Sequence, residues 1–202
     1  TAHAQQVVAL LASLNRPMFI KSWRKDVLDL FNDAAFFQMG IASNRSWALL
    51  VDVAMSQEDG AFADMLASGP GGSGTHVLSG ITLSLASGVE AKYRQHAQLI
   101  RRLAYVVLAG ETDQYAPLLP QILEKLMESL RLPTGSGLSR VLVLVHQHVF
   151  LCMRVLLLRL SGPNLVSLWP IVLSEVWRVL SLALAAAAKE RDARLERERE
   201  WV

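Results

Sequence analysis

The chain has 202 residues, 52% of them hydrophobic and 19% charged, with a formal net charge of +2. A charge this close to balance gives no reason to expect nucleic acid as a partner. Soluble domains usually carry about a quarter charged residues, so the excess apolar surface must enter a core, a partner subunit or a membrane surface. The single cysteine, Cys152, excludes an internal disulfide and fits a reducing compartment.

Nearly every segment repeats its apolar residues three and four apart, the period of a helix. Ala2–Leu14 places Val7, Val8, Leu10, Leu11 and Leu14 that way, and Asn15-Arg16-Pro17 ends it. Met18–Phe31 follows, with Phe19, Trp23, Val27, Leu30 and Phe31 on one stripe and Lys21, Arg24, Lys25, Asp26 and Asp29 opposite. Asn32-Asp33 can cap a short turn, Ala34–Met39. Ser43 or Asn44 opens a helix to about Ser56, and a short one covers Ala61–Ala67. Ser68–Gly74, SGPGGSG, reads as a flexible linker. Thr75–Gly88 is weakly patterned.

A strong helix resumes over Val89–Leu108, with Gly110 as its stop. Pro120 sits in the first turn of the next helix, which runs to Arg131. Leu138–Leu160 is almost wholly apolar, as a helix buried on most sides would be. The last helix begins at Asn164 or Leu165. From Lys189 it is nearly all charge, and Glu190/Arg194 and Arg194/Glu198 are four apart, a spacing that supports a helix in water. No strand alternation or Asn-Gly hairpin competes. The expected fold is all-α: an irregular HEAT/armadillo-like stack of α-solenoid type with a long charged C-terminal helix. The expected organisation is one domain over 1–188, with a flexible loop at 68–75, and a charged extension over 189–202. A transmembrane span is not expected. Val141–Met153 carries His146, Gln147 and His148, and Leu160–Ser174 is interrupted by Gly162, Pro163, Asn164 and Pro170. The N-terminus does not have the form of a signal peptide, and the chain is expected to be a piece of a longer protein.

Chemistry is hard to place on these residues. His146 and His148, two apart, point to different sides of a helix. His148 and Cys152 could share an ion, but two ligands do not close a site. No G-x-S-x-G elbow is present, and the Gly-rich segment lacks the Lys-Ser/Thr of a phosphate loop. No catalytic residue, metal ligand or cofactor is therefore assigned. Arg154 and Arg159 lie in an apolar run, where a buried guanidinium needs partners. Glu128 and Glu175 are the candidates for a structural salt bridge, the alternative being a groove that binds an anion. Lys21, Arg24, Lys25, Arg101 and Arg102 are candidates for contact with an anionic lipid headgroup. Leu173, Val176, Trp177, Leu180, Leu184 and Leu195 are candidates for an interface.

Three segments resemble the C-terminal region of the Dopey family of membrane-trafficking proteins. They are Trp23–Met39 (WRKDVLDLFNDAAFFQM), Arg102–Leu132 (RLAYVVL, then ETDQYAPLLPQILEKLMESLRL) and Phe150–Leu180 (MRVLLLRL, then SLWPIVLSEVWRVL). Two departures stand out: Ser161-Gly162-Pro163 sets the proline one residue later than in the family, and the charged tail has no match. The resemblance implies a non-enzymatic scaffold domain in Golgi–endosome vesicle and organelle transport, cytoplasmic and peripheral on those membranes. It also implies a homodimer, a HEAT-repeat partner of the Mon family, links to flippase and kinesin assemblies, and, as an alternative role, recognition of phosphatidylinositol 4-phosphate.

Overall fold

A computed structural model describes residues 6–10, 17–56, 61–67, 88–132 and 139–199. Among these, residues 6–10 are helical, and seven longer or better bounded helices follow. They are α1 (Pro17–Asn32), α2 (Ile41–Ser56), α3 (Ala61–Ala67), α4 (Val89–Ala109), α5 (Leu119–Leu130), α6 (Ser139–Arg159) and α7 (Gly162–Arg199). Short 3-10 turns cover Phe36–Gln38 and Ala116–Leu118. No strand occurs among the described residues, and the fold is all-α. The expected linker at 68–74 and weakly patterned segment at 75–87 lie outside the described residues.

The chain divides into two compact units, Thr1–Leu160 and Ser161–Val202. The division falls at 160/161, whereas the sequence analysis places its boundary at 188/189.

In the first unit, α4 and α6 pack most extensively against each other. They run parallel: His148 hydrogen-bonds the backbone of Ala97, and further along Arg159 donates to the carbonyl of Gly110. Helix α5 returns between them in sequence, running antiparallel to α4 and bringing Ser129 to His96. Close approach is possible because α4 turns Ala97 and Ala104 inward, with Ile100 and Leu103 beside them, while α6 contributes Val145, Val149, Cys152 and Leu156. All of these side chains are buried.

Helices α1 and α2 join this frame through aromatic rings. Phe31, Phe36, Phe37, Trp47 and Tyr105 form one cluster, with centroids 4.9 Å apart for Phe31–Phe36 and 5.3 Å for Phe36–Trp47. Edge-to-face pairs at such distances add about 0.5–1.5 kcal/mol each beyond area burial. Tyr105 then donates to Asn44 O at 2.8 Å, tying α4 to α2.

The polar tie in this unit is Arg102. Its side chain is only 3% exposed. A helix end leaves its last carbonyls without intrahelical donors, and α1 ends at Asn32. Arg102 Nε donates to Phe31 O at 3.1 Å, and Nη2 donates to Asn32 O at 2.6 Å and Asp33 O at 3.2 Å. A cation is also favoured at the negative end of a helix dipole. Burial lowers the pKa of Arg102 and the nearby Asp33 opposes that shift. Asp33 itself turns the chain, its Oδ1 accepting from Ala35 N at 2.7 Å.

The corner after α4 is a second knot. Gly110 N–H donates to Val106 O at 3.0 Å. A Cβ added to Gly110 would meet Tyr115 at 2.7 Å and Gln114 at 2.8 Å, so only glycine fits there unless those side chains move. Asp113 adopts a left-handed backbone (φ 63°) and donates its N–H to Arg159 O at 2.9 Å. Among non-glycine residues, Asp is one of the few that visit this region. Gln114 Nε2 donates to Asp52 Oδ1 and Ser56 Oγ, both at 3.0 Å, and Tyr115 stacks on Phe62 at 4.2 Å.

In the second unit, α7 starts at Gly162, with Pro163 in the first turn, where its missing N–H costs nothing. It starts two or three residues before the expected Asn164 or Leu165 and continues through Pro170. Pro170 leaves the carbonyl four residues earlier without its intrahelical donor. The expected charged end is present: α7 is helical to Arg199, and Arg194 pairs with Glu190 at 3.1 Å.

Two predictions follow from these polar ties. Replacing Arg102 with Ala removes the donor of three carbonyls and should cost about 2–4 kcal/mol in urea unfolding. Lys at the same position keeps the charge but not the fork of donors, and should cost less than Ala. The second concerns His96, which is buried and lies 2.8 Å from Ser129 Oγ through Nε2. The Ser129 hydroxyl donates to Lys125 O at 2.7 Å, so Nε2 is the donor in the His96 pair. Its Nδ1 has no hydrogen-bond partner among the described residues. Burial, aided by Lys125, pushes His96 down to about 4 from its ordinary 6.5. The unfolded chain therefore takes up the proton first. Stability conferred by neutral His96 is complete above about pH 6.5 and is lost as pH falls toward about 4. Burial and Arg101 move His148 the same way, against the Ala97 hydrogen bond. Urea midpoints for wild type and His96→Gln between pH 7 and 4.5 should show the wild type losing more.

Candidate interaction surfaces

No catalytic constellation forms among the described residues. Cys152 is fully enclosed, and burial pushes its thiol up to about 12, out of reach of nucleophilic chemistry at neutral pH. No group of three or more His, Cys, Asp or Glu able to hold a metal occurs among the described residues. An open, shallow cleft of about 370 Å³ is lined by Asp52, Ser56, Glu111, Thr112, Asp113 and Gln114. Its Ser56 donates to Asp52 O at 2.8 Å and it has no histidine, so it offers no nucleophile with a base.

The basic residues grouped from the sequence separate in space and in role. Arg102 is buried under the carbonyls that end α1 and cannot reach a lipid headgroup, which corrects its place in the lipid-binding set. Arg24 Nε donates to Ala54 O at 2.9 Å, and burial lowers its pKa. Arg101 lies over the Phe37 ring at 4.2 Å, a cation–π contact, and is half-buried. Lys25 is exposed. Lys21 is on α1, but its side chain lies outside the described residues.

The arginines of α6 also differ from expectation. Arg154 is exposed, so the burial that would demand a carboxylate partner is absent, and Glu128 is exposed too. Arg159 is half-buried and uses Nη2 on the Gly110 carbonyl. In the second unit, Glu175 is buried and accepts from Arg178 Nε at 2.6 Å. That partner is one helical turn away, a local pair that the sequence analysis did not weigh.

Helix α7 has two apolar faces. Leu168, Val172 and Glu175 form a buried stripe. At 100° per residue, the second stripe lies about 140° around the helix. It consists of Leu173, Trp177, Leu180 and Leu184, with Trp177 73% and Leu184 70% exposed. Of the interface candidates, these four and Leu195 are exposed, and Val176 is half-buried. Val166 and Trp169 extend the stripe toward the N-terminus. Both fall within the apolar face of Leu165–Leu184 read from the sequence, but they were not among the candidates named there, although their spacing of three and four was readable.

Two segments, Arg140–Arg159 and Leu168–Arg197, are long and apolar enough to cross a membrane by length and composition, which corrects the reading that none is. The first is the core helix α6, with Val145, Val149, Cys152 and Leu156 buried in the first unit. The second carries the Glu175–Arg178 pair within its apolar part.

Comparison with known proteins fits this helical, surface-rich chain. A family model described as DOP1 C-terminal matches residues 1–197. The Protein DOP1 homolog of Drosophila melanogaster is 36% identical over 93% of this chain and 7% of that protein. Protein pad-1 of Caenorhabditis elegans is 32% identical over 85% of this chain and 7% of that protein. Protein DOP1B of Mus musculus is 37% identical over 91% of this chain and 7% of that protein. The chain thus spans only about 7% of the length of these curated relatives. No solved structure matches it. With a family model matched over nearly the whole chain and relatives above 30% identity over most of it, this chain belongs to the DOP1 C-terminal (Dopey) family.

Proposed function

We propose that this chain is a non-enzymatic scaffold domain of a Dopey-like protein in Golgi–endosome vesicle and organelle transport, and that it self-associates through the second apolar face of α7. The observation that carries this reading is the exposed stripe of Leu173, Trp177, Leu180 and Leu184. Contiguous exposed apolar surface of this kind marks interaction sites. Exposed tryptophans are suited to be anchors, because Trp is over-represented among residues that dominate binding energy. The stripe from Val166 to Leu184 spans about 27 Å of helix axis. Beyond it, the mixed charges from Lys189 to Arg199 can meet a like helix without net repulsion. Docking to the Mon-family partner and to flippase or kinesin assemblies belongs, in this reading, to the longer protein.

A second reading, recognition of phosphatidylinositol 4-phosphate, rests on exposed Lys25 together with Arg24 and Arg101. It is narrower than the five-residue set, since Arg102 is committed to the end of α1.

Sedimentation equilibrium at tens of micromolar should give a dimer, and Trp177→Glu with Leu184→Glu should weaken it at least about tenfold. A strictly monomeric wild type overturns self-association. Flotation with vesicles containing phosphatidylinositol 4-phosphate tests the second reading, which fails if Lys25→Glu with Arg101→Glu leaves binding unchanged.

A further inference from the structure

We infer that the outer face of α6 is a docking seam for an acidic amphipathic helix of a partner protein. This seam lies in the first unit and is independent of α7. Along α6, Leu144, Leu151 and Leu158 are seven apart, and so are Arg140, Gln147 and Arg154. Interleaved, these two series give alternating steps of four and three, the a and d spacing of a coiled-coil seam. The stripe is open: Leu158 is 66% exposed, Leu151 is exposed, and Leu144 at its margin is half-buried. Arg140, Gln147 and Arg154 are all exposed.

The charge on the stripe selects the occupant. Helix α6 contains no Asp or Glu. Neither Arg140 nor Arg154 has an ion-pair partner among the described residues. An isolated surface arginine needs none. Two guanidiniums in the centre line of a leucine stripe, about 21 Å apart along the axis, would be desolvated by an apolar cover and left uncompensated. A helix carrying carboxylates two heptads apart covers the leucines and meets both cations. A bilayer fits less well. It has no seven-residue register, and surface helices keep their cations on the polar flank of the apolar face instead of in its middle.

The probe is a three-heptad helical peptide with Leu along its seam and Glu at the two positions facing Arg140 and Arg154. Its binding to the 202-residue chain is read by fluorescence anisotropy. The wild type should bind it, and Arg154→Glu should weaken binding at least about tenfold. A peptide with Lys in place of Glu should bind Arg154→Glu better than it binds the wild type. Because Arg154 is exposed, circular dichroism of the variant should match the wild type; if it does not, Arg140→Glu with the same peptides decides. The inference is overturned if the Glu peptide does not bind the wild type at about 100 μM, or if the charge reversal leaves affinity unchanged. It is also overturned if the wild type floats with vesicles of phosphatidylcholine and phosphatidylserine and Arg154→Glu abolishes that flotation. Sedimentation of Arg154→Glu should match the wild type, which separates this seam from self-association through α7.

Discussion

A buried cation at the end of a helix organises the first unit. Arg102 is on α4, yet its guanidinium completes α1, accepting the role of the donors that α1 lacks after Asn32. Hydrogen bonds from a charged group are worth more than neutral ones, about 1.5–3 kcal/mol each. The desolvation cost of the guanidinium is correspondingly large. The arrangement is stable only as a whole: remove α1 and Arg102 is a buried charge without acceptors, remove Arg102 and α1 ends on bare carbonyls. The aromatic cluster around Phe36 packs beside the same junction, so apolar and polar terms favour one register of α1 on α4.

The same logic recurs at the corner from Gly110 to Tyr115. Backbone groups left over at the ends of α4 and α6 satisfy each other or are met by arginine, through the Asp113–Arg159 and Arg159–Gly110 bonds. With these ends closed internally, α4, α5 and α6 form a frame whose described interior is mainly apolar. Part of the apolar excess noted in the composition lies on the surface, on the outer face of α6 and the second face of α7.

Much of this was legible in the sequence. Helical period located α1, α2, α4, α5 and α6 to within a few residues, because an amphipathic stripe is a local property. Gly110 and Pro120 punctuated the chain as their backbone chemistry requires. The α7 stripe was also readable, since Leu173, Trp177, Leu180 and Leu184 repeat at three and four. What failed were statements about partners distant in sequence. Arg102 looked like its neighbour Arg101, yet one is 3% exposed under α1 and the other sits over Phe37. Nothing in the run RRL distinguishes them, because the acceptors are about seventy residues away. Arg154 looked buried because its neighbours are apolar, but successive helical residues are turned 100° from one another, so a helix packed on one side leaves some members of an apolar run facing out. Pro170 counted against a membrane span, yet the expected start at Asn164 or Leu165 already put it inside the last helix, and α7 does carry it, at the loss of one hydrogen bond.

The account holds that α1 and α4 are a single cooperative element, joined at the guanidinium of Arg102. Native-state hydrogen exchange addresses this directly. Amides in the last turn of α1 and in the middle of α4 should open together, with one free energy and one denaturant dependence. If the end of α1 exchanges through a separate, far easier opening while α4 stays protected, the tie does not carry the structure and the account is wrong.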